Sequence, residues 1–341
     1  MSAELLTTPT AIFGRLVRDL HHARHSIDME YYIYASDRTG CAISDILCRK
    51  ARQGVKVRLL IDGYGSRRMS RALLRRLRTA GVVVERHGLL RYDRNHRKMT
   101  IIDRHTAHVG GVNIADRYAV GDSLGAWHDV QLRLEGDGVV SLVALFEYDY
   151  VTAMGIRAVP PPMPSCGDVR IHCSEAQHGG AMYALLEDVV ASAQHSVTIT
   201  SPYFMPPHRV VEALAAAVCR GVRTTVIVPA RCDIWVLDNV VRCHIARCQA
   251  RGVEMLILRE GFLHAKMALV DGRVTMLGSA NLDARSLTIN RELMLSTTRR
   301  SICHAAETYL LALREKCSLP ARDDLRSAIP AIVARLLEPV L

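Results

Sequence analysis

The chain has 341 residues, of which 49% are hydrophobic, and its 44 Lys and Arg against 34 Asp and Glu give a formal net charge of +10. This composition excludes an intrinsically disordered chain, which combines low hydrophobicity with high net charge, and it supplies a large core or two moderate ones. The longest apolar run, Val139–Phe146, is far shorter than the ~20 residues of a transmembrane helix, and Met1–Pro9 lacks the features of a secretory signal. We therefore expect a soluble or membrane-peripheral protein.

The predicted elements alternate between helix and strand. Four apolar residues at helical spacing predict an amphipathic first helix: Phe13, Leu16, Val17 and Leu20. The pattern then predicts a strand at Ile27–Ile33, a helix at Ala42–Arg52 that ends before Gly54, a strand at Val55–Ile61, and short buried strands at Met99–Ile102 and Met267–Val270. Such alternation indicates layered α/β domains.

Three segments recur at a nearly constant distance along the chain. Ala23–Ile27 recurs as Ala193–Val197, Gly54–Ile61 as Gly221–Val228, and His96–Asp103 as His264–Asp271, at offsets of 170, 167 and 168 residues. The proline-rich stretch Val159–Pro164 is typical of a linker. We predict two homologous α/β sandwich domains, residues 1–158 and 166–341, joined by a linker of residues 159–165. A pseudo-twofold axis would relate the two domains and create one shared active site.

The third repeat contains the residues suited to chemistry. Side chains two residues apart on a strand share a face, so His96 lies beside Lys98 and His264 beside Lys266, while Arg97 and Ala265 point away. A His next to a Lys is costly unless an anion lies between them. Donors suited to phosphate oxygens follow each pair, namely Asn113 after Gly110 and Gly111, and Ser279 and Asn281 after Gly278. One His-x-Lys pair is usually accidental, but two in register indicate a shared phosphodiester site.

These motifs resemble the phospholipase D superfamily. The pattern H-x-K-x-x-x-x-D followed by G-[GS]-x-N occurs twice. The surrounding sequence is most similar to the bacterial cardiolipin synthases, for example at Ser201–Pro206 and Gly278–Ser286. The resemblance extends from about Ser26 to the C-terminus. It implies a phospholipase D-like fold in each half.

The resemblance also implies a reaction through a covalent phosphohistidine. One histidine attacks phosphorus and the other transfers the protons, while the two lysines, Asn113, Asn281 and Ser279 hold the phosphate. The nucleophile stays open, with His96 favoured by analogy. Because the lysines supply the positive charge, no metal or other cofactor is expected.

Four carboxylates complete the predicted site. By resemblance, each histidine has an orienting carboxylate, and we predict Glu292 for His264 and Asp129 for His96. Asp103 and Asp271 belong to the motif and are included among the catalytic candidates. Strict alternation places them on the opposite face from the lysines, where they would brace the site through ion pairs.

The substrate is less constrained than the chemistry. A charge of +10 suits either an anionic lipid or a nucleic acid, but an aromatic content of 5% disfavours a base-stacking surface. We predict that phosphatidylglycerol donates its phosphatidyl group to a second phosphatidylglycerol, which forms cardiolipin and releases glycerol. The alternatives are a hydrolase, either a phospholipase D or a nuclease that uses water, and a lipid-binding protein without turnover. A monomer suffices for one site.

Two segments bear on membrane association. The basic segment Arg67–Arg78 is predicted to be a helix that packs its leucines on the sheet, although its arginines could lie against anionic headgroups. The apolar tail Ala328–Leu341 could dock in the core or lie at a membrane interface. Many cardiolipin synthases carry N-terminal transmembrane helices, which this sequence lacks. We expect peripheral attachment to the cytoplasmic side of a bacterial membrane, or otherwise a cytoplasmic protein.

The ten cysteines include no C-x-x-C pair and follow no secretory signal, so we expect buried reduced thiols. Cys243, His244 and Cys248 have the residue types of a zinc site but lack a second pair of ligands at the usual spacing. We therefore predict no metal site.

Overall fold

A computed structural model describes residues 2–88, 92–163, 165, 167–175 and 180–325. In the first half the strands are β1 (Ser2–Leu6), β2 (Ser26–Tyr31), β3 (Lys56–Asp62), β4 (Val83–His87), β5 (Met99–Ile102), β6 (Thr106–Gly110), β7 (Trp127–His128) and β8 (Gln131–Glu135). The helices are α1 (Pro9–His22), α2 (Arg38–Arg52), α3 (Arg71–Thr79), α4 (Asp116–Val120) and α5 (Val139–Ala153).

In the second half the strands are β9 (Val169–Cys173), β10 (Ser196–Thr200), β11 (Arg223–Pro229), β12 (Glu254–Leu258), β13 (Phe262–Leu263), β14 (Met267–Val270), β15 (Val274–Gly278), β16 (Leu293–Thr297) and β17 (Cys317–Ser318). The helices are α6 (Ala181–Ser192), α7 (His208–Cys219), α8 (Trp235–Gln249), α9 (Ala284–Thr288) and α10 (Arg300–Glu315), and a short 3-10 helix follows at Arg322–Leu325.

The two halves build the same sheet. The first sheet has the strand order β1-β8-β6-β5-β2-β3-β4, and the second has β9-β16-β15-β14-β10-β11-β12 with β17 added at the edge. In each sheet the last three strands of the shared order, β2-β3-β4 or β10-β11-β12, are parallel to one another, and the other pairings are antiparallel. This element-by-element agreement confirms the predicted class of two homologous α/β layers. The domain boundaries themselves stay a prediction.

Local sequence explains where the helices begin. The Asp37 side chain accepts the N–H of Gly40 at 3.0 Å, so α2 begins at Arg38, earlier than the predicted Ala42. Ser70 caps α3 in the same way through the N–H of Leu73. Leu73 and Leu77 of α3 are buried in the core cluster of the first sheet, as predicted for this basic helix.

The two halves share a hydrophobic core. One cluster combines Val109 and Leu132 of the first sheet, Phe146 of α5, and Leu277 and Leu295 of the second sheet. Separating the halves would expose these apolar side chains to water, at a cost that scales with their area. The halves therefore pack as one unit, and this packing fixes the surfaces that carry the site.

The structure also bears on the predicted linker, membrane-spanning helices, cysteines and metal sites. Residues 155–163 form neither helix nor strand, consistent with a linker, whereas Pro164 and the tail Ala328–Leu341 lie outside the described residues. Within the described ranges, no helix is both long and apolar enough to cross a bilayer. The nine described cysteines are free thiols, and the described side chains contain no group of three or more His, Cys, Asp or Glu that could hold a metal ion.

Candidate active site

The two histidines of the repeated motif face one cavity between the halves. His96 lies just before β5 and His264 just before β14, and both line a cavity of about 860 Å³. Tyr32 lies edge-on to His96 at 4.9 Å between ring centroids, and Tyr118 lies edge-on to His264 at 5.1 Å. The predicted convergence of the two motif copies is therefore present in the fold.

Short backbone pairings across the interface bring the halves together at this point. β13 pairs in parallel with β7, and the N–H groups of His264 and Ala265 donate to the carbonyl of His128 at 2.8 and 3.0 Å. On the other side of the pseudo-twofold, Asn95 forms a bridge with Arg291, and the His96 N–H donates to the Arg291 carbonyl at 3.0 Å. His264 is thus placed beside Asp129, which follows His128, and His96 is placed beside Glu292, which follows Arg291.

The carboxylate partners are consequently crossed between halves. His96 Nδ1 lies 2.9 Å from Glu292 Oε2, and His264 Nδ1 lies 2.5 Å from Asp129 Oδ2. The prediction that paired Glu292 with His264 and Asp129 with His96 was wrong in both assignments. It kept each carboxylate near its own motif, whereas the interface pairings place each one on the histidine of the other half.

Two equivalent positions support these carboxylates differently. Ser279 Oγ donates to Glu292 Oε2 at 2.5 Å and accepts the N–H of Leu293 at 2.9 Å. In the first half the equivalent residue is Gly111, where an added Cβ would lie only 2.5 Å from Asp129 Oδ1. Ser279 was predicted to bind phosphate, but its hydroxyl is occupied by Glu292 and the backbone, so the structure places it as a support of that carboxylate.

The lysines lie over the carbonyl groups of the histidines. Lys98 Nζ donates to the His96 carbonyl, and Lys266 Nζ donates to the His264 carbonyl at 2.5 Å. Lys266 Nζ also lies 2.9 Å from Nδ1 and 3.0 Å from Nε2 of the His264 ring. Burial lowers the pKa of Lys266 to about 8 and lowers that of Lys98 well below its usual value. Both amines are therefore poorly solvated groups next to the imidazoles.

The environment keeps both imidazoles neutral near pH 7. Burial, with a further contribution from Lys98, lowers the pKa of His96 to about 4 although Glu292 opposes the shift. Burial and Lys266 lower the pKa of His264 to about 3 against the effect of Asp129. A neutral imidazole can attack phosphorus, and an anion entering between the lysines raises the pKa of the second imidazole so that it can exchange protons.

The two asparagines line the same cavity but differ in their hydrogen bonds. Asn113 Oδ1 accepts the N–H of Ile33 at 2.9 Å, and its amide nitrogen donates to the Tyr118 hydroxyl at 2.7 Å. Asn281 Oδ1 is buried and has no hydrogen-bond partner among the described residues. Both amides are positioned near the histidines, and their predicted contact with phosphate stays a prediction.

Asp103 and Asp271 lie away from the cavity. The Asp103 carboxylate accepts the N–H groups of residues 24, 25 and 26 at 2.6–2.9 Å, and that of Asp271 accepts those of residues 194, 195 and 196 at 2.8–2.9 Å. Burial opposes ionisation, but these donors hold the pKa of each carboxyl below its usual value. Four strand residues separate each aspartate from its lysine, a distance of about 16 Å. Both aspartates thus brace a turn through backbone hydrogen bonds and form no ion pair with a described residue, which favours a structural role over the predicted catalytic one.

A buried charged group behind His96 was missed by the sequence reasoning. Arg97 has no exposed side-chain surface and forms ion pairs with Asp149 and Glu175, and its Nε donates to the Glu292 carbonyl at 3.3 Å. Arg291 joins Asp149 at 2.9 Å from the other side. The alternation did predict that Arg97 points away from the cavity. No local signal showed that the second half would close over it.

Comparison with known proteins finds matches over most of the chain. A family model described as "Cardiolipin synthase, PLD-like domain" matches residues 16–123 and 186–314. The probable cardiolipin synthase YwiE of Bacillus subtilis is 33% identical over 313 residues, which cover 87% of this chain and 63% of that protein. The cardiolipin synthase of Geobacillus kaustophilus is 32% identical over 363 residues, which cover 99% of this chain and 72% of that protein. The chain thus spans roughly two thirds of the length of these relatives.

Solved structures share the fold at low sequence identity. Phosphatidylserine synthase from Haemophilus influenzae superposes with a TM-score of 0.81 at 16% identity, and the match covers 98% of this chain and 92% of that one. Polyphosphate kinase from Porphyromonas gingivalis superposes with a TM-score of 0.68 at 16% identity, covering 98% and 52% of the two chains. At these identities the comparison establishes the common two-sheet architecture.

Proposed function

This chain belongs to the phospholipase D-like cardiolipin synthase family, and on that premise we propose that it transfers a phosphatidyl group between two phosphatidylglycerol molecules. The products are cardiolipin and glycerol. The observation that carries the proposal is the pair of imidazoles on one cavity, each hydrogen-bonded to a carboxylate of the opposite half and flanked by a buried lysine.

The proposed reaction has two displacements at one phosphorus. The Nε2 atom of one histidine attacks the donor, the bond between phosphorus and the glycerol oxygen breaks, and the second histidine gives that oxygen a proton. The second histidine then takes the proton of the acceptor hydroxyl, whose oxygen attacks phosphorus as the P–N bond breaks. Lys98 and Lys266 stabilise the charge on the pentacoordinate phosphorus. Asn113 and Asn281, whose Oδ1 has no partner among the described residues, orient the headgroup.

The proposed place of action is the surface of an anionic bilayer. Both substrates would be lipids with charged headgroups, and the net charge of +10 favours binding to such a surface. Peripheral attachment on the cytoplasmic side is part of this proposal. Fractionation of cells followed by protease treatment of intact spheroplasts tests it, because a protein on the outer face would be degraded.

Lipid mass spectrometry tests the activity directly. Purified protein is incubated with phosphatidylglycerol vesicles in EDTA, and cardiolipin with an equal amount of glycerol is the expected result. Phosphatidic acid without cardiolipin would instead establish water as the acceptor and overturn the transferase proposal. His96→Ala and His264→Ala are each expected to abolish turnover with the fold retained by circular dichroism. Full activity in either variant would refute the two-histidine mechanism.

A further inference from the structure

One wall of the cavity carries cations that the displacement at the histidines does not use. Arg67, Arg68, Arg94 and Arg285 all line the cavity together with His96. Arg68 extends from the exposed loop before α3, whereas the other three lie against tyrosine rings. The arrangement of these three guanidinium groups is therefore a feature of the site that calls for its own ligand.

Tyrosine rings fix the positions of the three guanidinium groups. The Cζ atoms of Arg67 and Arg94 lie 4.4 and 4.2 Å from the centroid of the Tyr64 ring. Arg285 lies 4.9 Å from the centroid of Tyr92 and donates to the Tyr92 carbonyl at 3.0 Å. A guanidinium stacked on a ring keeps N–H groups at its edge available for bidentate contact with a phosphate.

Charge balance on this wall favours an anion. No carboxylate of the described residues lies within ion-pair distance of Arg67 or Arg285, whereas Arg117 of the same cavity is 3.6 Å from Asp233. Arg67 and Arg285 therefore keep a positive charge that an anion entering the cavity would balance.

The arginines also break the pseudo-twofold symmetry of the site. The bridge between Asn95 and Arg291 keeps the chain extended, so Arg94 lies on the same side as His96 and about 7 Å from it along the backbone. At the equivalent position before His264 the second half has Phe262, which is fully buried against Trp127 at 4.5 Å between centroids. A phosphate shared by both histidines lies between them. On the His264 side the arginine of the cavity, Arg117, is already paired with Asp233, whereas Arg67 and Arg285 are left for a second anion.

We propose that Arg67, Arg94 and Arg285 form a second phosphodiester subsite, which holds the phosphate of the acceptor lipid while its terminal hydroxyl reaches the phosphohistidine. This inference rests on the proposed function and deepens it. The acceptor lipid keeps its own phosphate, which is separated by three carbons from the hydroxyl oxygen that attacks. The spacing between Arg94 and His96 along the extended chain is comparable to the distance between these two groups. Glycerol has no such phosphate and reaches the same phosphohistidine without the subsite.

The test compares an acceptor that carries a phosphate with one that does not. Cardiolipin formation from phosphatidylglycerol in mixed micelles is measured beside the exchange of labelled glycerol into phosphatidylglycerol. Arg67→Gln is expected to lower kcat/KM for cardiolipin formation by about 10- to 100-fold, the scale of a charge-assisted hydrogen bond, while glycerol exchange falls by less than about threefold. Arg285→Gln is expected to act in the same direction.

Arg75→Gln is the matched control, because Arg75 is exposed on α3, the helix that follows the loop of Arg67, and does not line the cavity. An equal loss in Arg75→Gln and Arg67→Gln would show general attraction to the anionic surface and would overturn the subsite. Equal loss of both reactions in Arg67→Gln, or no loss of either, would also overturn it. Wild-type protein that exchanges glycerol but forms no cardiolipin would refute the proposed function itself, and the subsite with it.

Discussion

Replacing Glu292 by Gln removes one negative charge from beside His96 and leaves the shape of the side chain almost unchanged. Glu292 is fully buried, and its Oε2 lies 2.9 Å from His96 Nδ1. At an effective dielectric constant of ~20, this charge stabilises a protonated His96 by roughly 4–6 kcal/mol. In Glu292→Gln this stabilisation is lost in every turnover in which His96 becomes positively charged. We expect kcat for cardiolipin formation to fall by a factor of ~10³–10⁴.

Ser279→Ala is the graded control for this substitution. It removes the hydrogen bond of 2.5 Å from Ser279 to Glu292 but keeps the negative charge, so kcat should fall by only about tenfold. A fall of less than tenfold in Glu292→Gln would refute the electrostatic argument.

Nuclear magnetic resonance tests which histidine is affected. In protein labelled with ¹⁵N-histidine, Glu292→Gln should shift the ring signals of His96, which His96→Asn identifies by their disappearance. The signals of His264 should instead respond to Asp129→Asn. The opposite result would contradict the crossed pairing between halves.

Three further predictions concern charged groups in and behind the site. Because burial lowers the pKa of Lys266 to about 8, kcat/KM should fall above that pH. Lys266→Arg should move this fall to higher pH, since an arginine stays protonated. If the fall stays at the same pH, Lys266 is not its origin. Asp271→Asn should lower the free energy of unfolding in urea by about 1–2 kcal/mol and leave kcat within about threefold, whereas a large loss of kcat would restore a catalytic role. Arg97→Met should cost roughly 3–5 kcal/mol of unfolding free energy, because it leaves Asp149 and its neighbours buried with less compensation. Arg104→Met, which removes an exposed ion pair of 3.4 Å, should cost less than about 1 kcal/mol, and equal losses would contradict the argument.

The sequence alone was sufficient for the features that recur or are local. The offsets of 167–170 residues predicted two equal halves, and the two sheets share one strand order. The strands Met99–Ile102 and Met267–Val270 have the predicted bounds, because short β-branched and apolar runs next to a turn leave few alternatives. Spacing also placed each lysine beside its histidine, since that relation depends only on two neighbouring residues.

Tertiary structure decided everything that depends on which surfaces meet. Glu292 is 196 residues from His96 and Asp129 is 135 residues from His264, and no local pattern distinguishes these pairs from the reverse assignment. The choice follows from the pairing of β7 with β13 and of Asn95 with Arg291. The burial of Arg97 has the same origin, because its counter-ions lie on α5 and in the second half. Sequence fixes the alternation of side chains along a strand, but the partners of a side chain at an interface are set by the packing that brings distant segments together.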